Sequence, residues 1–158
     1  MNWKILTLPE LTERASVIRT QGGRLVLTNG CFDLLHVGHV RYLGQAAAMG
    51  DCLVVAVNGD ESVQALKGAG RPLNSENDRA EILAALECVD FVTIFPELRA
   101  TRVIEAVQPN VYVKGGDYTR ETLDQKEVAA LEKAGAQIKT LPLVPEKSTS
   151  RLIEQMRH

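Results

Sequence analysis

The sequence predicts an α/β protein, a doubly wound, Rossmann-like three-layer sandwich around a five-stranded parallel sheet. Three observations carry that expectation. Short apolar segments alternate with helical ones along all 158 residues. The apolar segments are rich in Val, Ile, Leu and Phe, as strands buried on both faces of a parallel sheet must be. No repeat, low-complexity stretch or linker interrupts the alternation. Residues 1–158 are therefore expected to form one domain with right-handed crossovers.

The elements follow in order. A helix over 9–20 precedes the first strand, 24–29, built around Leu25-Val26-Leu27. A helix over 37–49 leads to the second strand, 52–58, whose Leu53-Val54-Val55-Ala56-Val57 is continuously apolar. Next come a helix over 60–66, with Asp60 as its cap, and a helix over 75–87 carrying Ile82, Leu83 and Leu86. That apolar stripe suits either packing on the sheet or contact with a second copy, the former being the usual fate of such a stripe. Strand 91–95, helix 99–107, strand 111–114, helix 120–134, strand 137–141 and helix 148–157 complete the alternation.

Composition excludes several classes. Formal net charge is −2, with 45% hydrophobic and 24% charged residues, ordinary values for a globular protein. No run of Lys or Arg marks a nucleic-acid surface. The N-terminal Met1-Asn2-Trp3-Lys4-Ile5 lacks a signal-peptide core, and no segment is apolar enough to span a bilayer, so the cytoplasm is expected. Three cysteines, an odd number, argue against a disulfide framework. Cys52 and Cys88 are expected as small buried hydrophobes.

In a doubly wound sheet, ligands bind beyond the carboxyl ends of the strands where strand order reverses. The residues after each strand therefore matter most. The first strand is followed by Thr28-Asn29-Gly30-Cys31-Phe32-Asp33-Leu34-Leu35-His36-Val37-Gly38-His39. His36 and His39 share one face of a helix's first turn, beside unpaired N–H groups and the positive dipole end. Gly38 leaves room for a phosphate. Cys31 lies beside the same helix start, which could lower its pKa. It has no base paired with it in the sequence, which argues against a nucleophilic thiol.

After the fourth strand comes Lys114-Gly115-Gly116-Asp117-Tyr118, where two glycines let backbone N–H groups face a ligand. If the first and fourth strands are neighbours, these two loops wall one crevice. Ser148-Thr149-Ser150 opens the last helix; one hydroxyl caps it, and three suit a polyphosphate as well. The loop Lys67-Gly68-Ala69-Gly70-Arg71-Pro72-Leu73-Asn74 and the following Arg79 supply cations. Lys67 reads equally as a surface lysine, whereas Arg71 and Arg79 suit phosphate, which a guanidinium grips at two points.

These groups contain no nucleophile–base pair, which suits chemistry run on positioning and charge rather than on a covalent intermediate. A phosphate acceptor is already anionic, so catalysis reduces to alignment and charge neutralisation. No acidic cluster has metal-ligand spacing, so no protein metal site is expected and Mg²⁺ would be held mainly by nucleotide phosphates.

The stretch from Gly30 to His39 matches the nucleotidyltransferase signature Gly-x-Phe-Asp-x-x-His-x-Gly-His at every fixed position. With Lys67–Asn74, Asp78-Arg79 and Val113–Tyr118, the chain resembles the adenylyltransferase domain of bacterial heptose-1-phosphate enzymes. That resemblance implies transfer of AMP from ATP to a sugar 1-phosphate, giving ADP-heptose for lipopolysaccharide and pyrophosphate. It implies catalytic roles for His36, His39, Lys67 and Arg79. Nucleotide binding falls to Asn29, Gly30, Cys31, Phe32, Gly38, Lys114, Gly115, Gly116, Asp117, Ser148, Thr149 and Ser150, and acceptor or phosphate binding to Asp33, Lys67 and Arg71. It implies further a sugar kinase on a separate chain, small-molecule substrates only, and a homodimer as in many relatives, with helix 75–87 one candidate contact. Related enzymes read Ser-Thr-Thr after a glycine where this chain has Pro145-Glu146-Lys147-Ser148-Thr149-Ser150, a change that bears on acceptor choice. Cytidylyltransferases acting on glycerol 3-phosphate or an amino-alcohol phosphate share the signature. A nucleotide-binding regulator without turnover is the alternative of another class.

Overall fold

The computed structural model describes residues 2–116, 118–142 and 148–157. Among them, β1 (Leu25–Gly30), β2 (Cys52–Asn58), β3 (Phe91–Phe95), β4 (Val111–Gly115) and β5 (Gln137–Leu141) form one sheet in the order β3-β2-β1-β4-β5. Every pairing is parallel. β2 is buried at all seven positions, because α2 (Val37–Ala47) and α4 (Glu76–Ala84) cover one face while α1 (Leu8–Thr20), α5 (Thr101–Val107) and α6 (Gln125–Ala134) cover the other. The doubly wound expectation holds, and the sheet separates two apolar clusters.

The chain leaves β1 for β2 on one side and enters β4 on the other, with Leu25 beside Cys52 and Val26 beside Val111. β1 and β4 are therefore neighbours at the point where strand order reverses. The loops that follow them face each other there, as a doubly wound sheet requires of its ligand crevice.

Helix ends depart from the sequence expectation where capping side chains decide them. α1 begins at Leu8 because Thr7 and Glu10 form a reciprocal capping box. α6 begins at Gln125, not at residue 120, because Asp124 accepts from the N–H groups of Lys126 and Glu127. Residues 119–122 instead close a turn through Thr119 and Thr122. α3 (Asp60–Lys67) is capped by Gly59, and Asp60 is the first helical residue. The apolar stripe of α4 is turned to the sheet, where Ala80, Leu83 and Ala84 are buried and Ile82 is left outside. The N-terminal segment adds to the far edge of β3, where Leu6 donates to Val92 and Val92 to Lys4.

Candidate active site

The β1–α2 connection is built around two backbone demands. Phe32 adopts φ 49°, a left-handed conformation uncommon for a bulky residue, and its ring is buried. A Cβ on Gly30 would come within 3.0 Å of that ring, so glycine lets the loop fold back this tightly without shifting the ring.

α2 (Val37–Ala47) then starts on its histidines. Nδ1 of His36 accepts from the Gly38 N–H at 3.0 Å, and Nδ1 of His39 accepts from the His36 N–H at 3.3 Å. The ring centroids lie 4.1 Å apart. An imidazole that accepts at Nδ1 carries its proton on Nε2, so each ring offers one Nε2–H donor. Burial, and then the neighbouring His36, push the His39 pKa down to about 4. His39 is thus a neutral donor near pH 7.

These rings line a cleft of about 540 Å³ at the reversal point between β1 and β4. Asn29, Gly30, Cys31, Phe32, Asp33, Gly38, Lys67, Arg71, Lys114 and Gly115 line it too, and Ser148, Thr149 and Ser150 close the far wall from the start of α7 (Thr149–Met156). Ser148 caps α7 by accepting from Arg151, while Thr149 donates to the Leu34 carbonyl at 2.7 Å. The last helix is thereby tied directly to the histidine loop. Gly116 stands beyond the lining, its N–H donated to Leu141. Asp117 and residues 143–147, including the altered Pro145-Glu146-Lys147, lie outside the described residues.

Two expected contact residues have other work. Arg79 is buried, its side chain wholly covered. Its guanidinium donates to the carbonyls of Asn74, Cys31 and Asn58 at 2.7 to 3.0 Å and to the Asp60 carboxylate at 2.8 Å. It does not line the cleft. With four of its five N–H donors committed, Arg79 stitches the ends of β1 and β2 to the start of α4, and the expected phosphate contact is corrected to a positioning role. Asp33 is equally committed. Its carboxylate accepts from Arg71 Nε at 2.7 Å and from the N–H groups of Leu73 and Asn74 at 2.8 to 3.0 Å. Burial alone would raise its pKa, yet the Asn74 and Leu73 amides and Arg71 hold it below the usual carboxylate value. Asp33 binds the 67–74 loop to the histidine loop while it lines the cleft, and it holds Arg71 at the cleft edge.

The Cys31 thiol is pushed up by burial, against the pull of Lys67, Arg79 and Arg71. It is a poor nucleophile in this setting. Burial lowers the Lys114 pKa while Glu127 opposes the shift. Thr28 and Tyr42 both bond the Val113 carbonyl and each other, locking α2 across the β1–β4 seam. Burial pushes the Tyr42 pKa to about 12, so the phenol stays protonated. The lining also includes Tyr118, from the loop after β4, and Asn58, Leu98, Arg99 and Glu127, which the motifs did not indicate. Asn58 ends the second strand and Glu127 is one of several charges on a helix, signals too common to single out.

Residues 27–155 match the Cytidylyltransferase-like family. The chain belongs to the cytidylyltransferase-like family. As a member it is a nucleotidyltransferase by descent, and its histidine loop, cation loop and hydroxyl turn all fall inside the matched span. Among curated proteins this family member is 54% identical over 154 residues to the "Bifunctional protein HldE" of Geotalea uraniireducens and 47% identical over 154 residues to that of Photobacterium profundum. Those matches cover 98% and 97% of this chain but 31% and 32% of the relatives, so the chain spans about a third of their length. Among solved structures, a lipopolysaccharide core biosynthesis protein of Thermoplasma volcanium superposes with TM-score 0.64 at 28% identity, covering 80% of this chain and all of that one. A pantoate–β-alanine ligase of Francisella tularensis, at 13% identity and TM-score 0.58 over 92% of this chain and 68% of its own, shares the fold. No helix among the described residues is long and apolar enough to cross a membrane.

Proposed function

We propose that the chain transfers AMP from ATP to a sugar 1-phosphate, D-glycero-D-manno-heptose 1-phosphate, releasing pyrophosphate and giving the ADP-sugar. The observation that carries this reading is the pair of imidazoles whose Nδ1 atoms are occupied by α2. Two Nε2–H donors are thereby aimed by the backbone rather than by flexible side chains. The likeness to the HldE relatives supports the choice of ATP and heptose.

In this reading an acceptor phosphate oxygen attacks the α-phosphorus of ATP in line, and the bond to the bridging α–β oxygen breaks as pyrophosphate leaves. No base is required, because the attacking oxygen is already ionised. His36 and His39 donate to the triphosphate, more strongly as charge builds on the transferred group. The nucleotide rests against the backbone of Asn29, Gly30, Cys31, Phe32 and Gly38 and of Lys114 and Gly115. The Ser148, Thr149 and Ser150 turn receives phosphate oxygens, and Lys67 and Arg71 neutralise charge at the opposite edge. In this reading the nucleotide phosphates themselves would hold a Mg²⁺ ion. Bound there, it would supply positive charge beside the pyrophosphate. A sugar kinase is the source of the acceptor; in the bifunctional relatives a second activity shares the chain. ATP supply suits a cytoplasmic reaction.

The test is pyrophosphate release with Mg²⁺, crossing ATP and CTP against heptose 1-phosphate, glycerol 3-phosphate and phosphoethanolamine. Turnover with ATP and the heptose is expected. Turnover with CTP alone would move the chain to the cytidylyltransferase branch, and ATP binding with no turnover on any acceptor would make it a nucleotide-binding regulator.

A further inference from the structure

The cleft has one side that the histidine helix does not reach. On the α5/α6 face of the sheet, Glu127 lines it from α6 although the residue is only 5% exposed. A carboxylate held so deep is costly unless its oxygens are well bonded. Glu127 has little. Oε1 accepts from the Ala100 N–H at 3.3 Å, and Oε2 lies 3.3 Å from the Tyr112 hydroxyl. Charge-assisted bonds ordinarily run at about 2.5–2.9 Å, so both are long. The same hydroxyl also meets the Asn29 side chain, and a phenol has a single proton to give. A carboxylate accepts up to about four hydrogen bonds, so Glu127 keeps acceptor capacity on the side that faces the cleft.

Lys114 interacts electrostatically with Glu127, and the same cleft is lined by Asn29, Asn58 and Arg99. A carboxylate beside an ammonium, in a cleft that also carries two amides and a guanidinium, interleaves acceptors with donors. That pattern complements a chain of hydroxyl groups, each of which donates and accepts. It does not suit a phosphate, which Glu127 repels. The anion-binding end of the cleft, with His36, His39, Lys67 and Arg71, is chemically distinct from this one.

We propose that Glu127 determines acceptor specificity by accepting hydrogen bonds from hydroxyl groups of a polyhydroxylated acceptor, with the Ala100 N–H holding the carboxylate in place. The assignment rests on the sugar-phosphate reading above and gives it a residue. It implies discrimination against acceptors that are phosphorylated but carry few hydroxyls, such as phosphoethanolamine.

The test is acceptor kinetics of Glu127→Gln with heptose 1-phosphate and its deoxy analogues. The variant keeps the shape and exchanges an acceptor oxygen for a donor. The KM for heptose 1-phosphate should rise about 10- to 100-fold, the usual loss for hydrogen bonds to a charged group, with the KM for ATP unchanged. A deoxy analogue that the native protein disfavours should be disfavoured far less by the variant, which a merely structural role would not produce. Should Glu127→Gln fail to fold, Glu127→Asp, which keeps the charge on a shorter arm, is compared on the same deoxy ratio. An unchanged acceptor KM, a rise in the KM for ATP instead, or equal deoxy discrimination in native and variant protein would overturn the proposal. Absence of turnover by the native protein on any sugar phosphate would instead overturn the reading on which it rests.

Discussion

Replacing Arg79 by alanine should destabilise the fold before it touches the chemistry. The native guanidinium meets three main-chain carbonyls, of Asn74, Cys31 and Asn58, and the Asp60 carboxylate. Its side chain is fully covered, whereas that of Asp60 is 44% exposed. Asp60 can therefore return to water at little cost, and the loss falls on the carbonyls. Each stranded carbonyl costs about 1–3 kcal/mol; water entering the vacated space recovers part, leaving a loss of about 3–5 kcal/mol, as for other broken buried charge contacts. For a chain of this size each kcal/mol lowers the melting temperature by about 2–4 °C, so a drop of about 6–20 °C is expected. Thermal unfolding followed by circular dichroism reads it directly, with urea denaturation as a check. If stability fell by no more than the roughly 0.5 kcal/mol typical of a surface substitution while turnover collapsed, the guanidinium would be acting on substrate and the stitching argument would be wrong.

Three other predictions concern the cleft. His39 titrates near 4 in the folded chain and near 6.5 when unfolded, so the unfolded state binds its proton first. Stability should therefore be intact above pH 6.5, fall between pH 6.5 and 4, and level off below; melting temperatures of native protein and His39→Asn across that range should converge as the pH drops. Asp33→Asn removes the charge that holds Arg71 and weakens the grip on Leu73 and Asn74; trypsin should then cut after Lys67 in a folded protein, and resistance equal to native would exclude the tether. Cys31→Ser should retain turnover, and the native thiol should react slowly with iodoacetamide at pH 7, because burial raises its pKa; abolished turnover in that variant would restore a chemical role for the thiol.

The strands and the histidine loop were legible because their signals are local. Val and Ile runs fix the buried strands, and the loop's glycine and histidines bond within a few residues of one another. Even the crevice between β1 and β4 followed from where doubly wound sheets reverse. Arg79 was misplaced for a physical reason. A cation shortly after a glycine-flanked loop resembles a phosphate ligand until the fold brings the Cys31 and Asn58 carbonyls, 48 and 21 residues away, to the same point. The tether through Asp33 was hidden for the same reason, since its partners are 38 to 41 residues distant. Glu127 stood among Lys126, Glu132 and Lys133 on a helix expected from residue 120; only the docking of α6 against α5 and Tyr112 turns it inward. Interactions closed by long loops leave no mark in a short window of sequence.

The contact between Thr149 and Leu34 spans 115 residues, yet α7 buries none of its own residues. Folding and competence are therefore governed by different parts of the chain. The apolar clusters that stabilise the sheet are complete without the last helix, while the hydroxyl wall of the cleft exists only when it is docked. A molecule damaged or clipped after β5 would keep its circular dichroism spectrum and most of its melting temperature, and lose its far wall. For this protein, a cooperative unfolding curve is no certificate of an assembled site; nucleotide-induced stabilisation, which senses both ends of the chain at once, is the sounder measure of intact material.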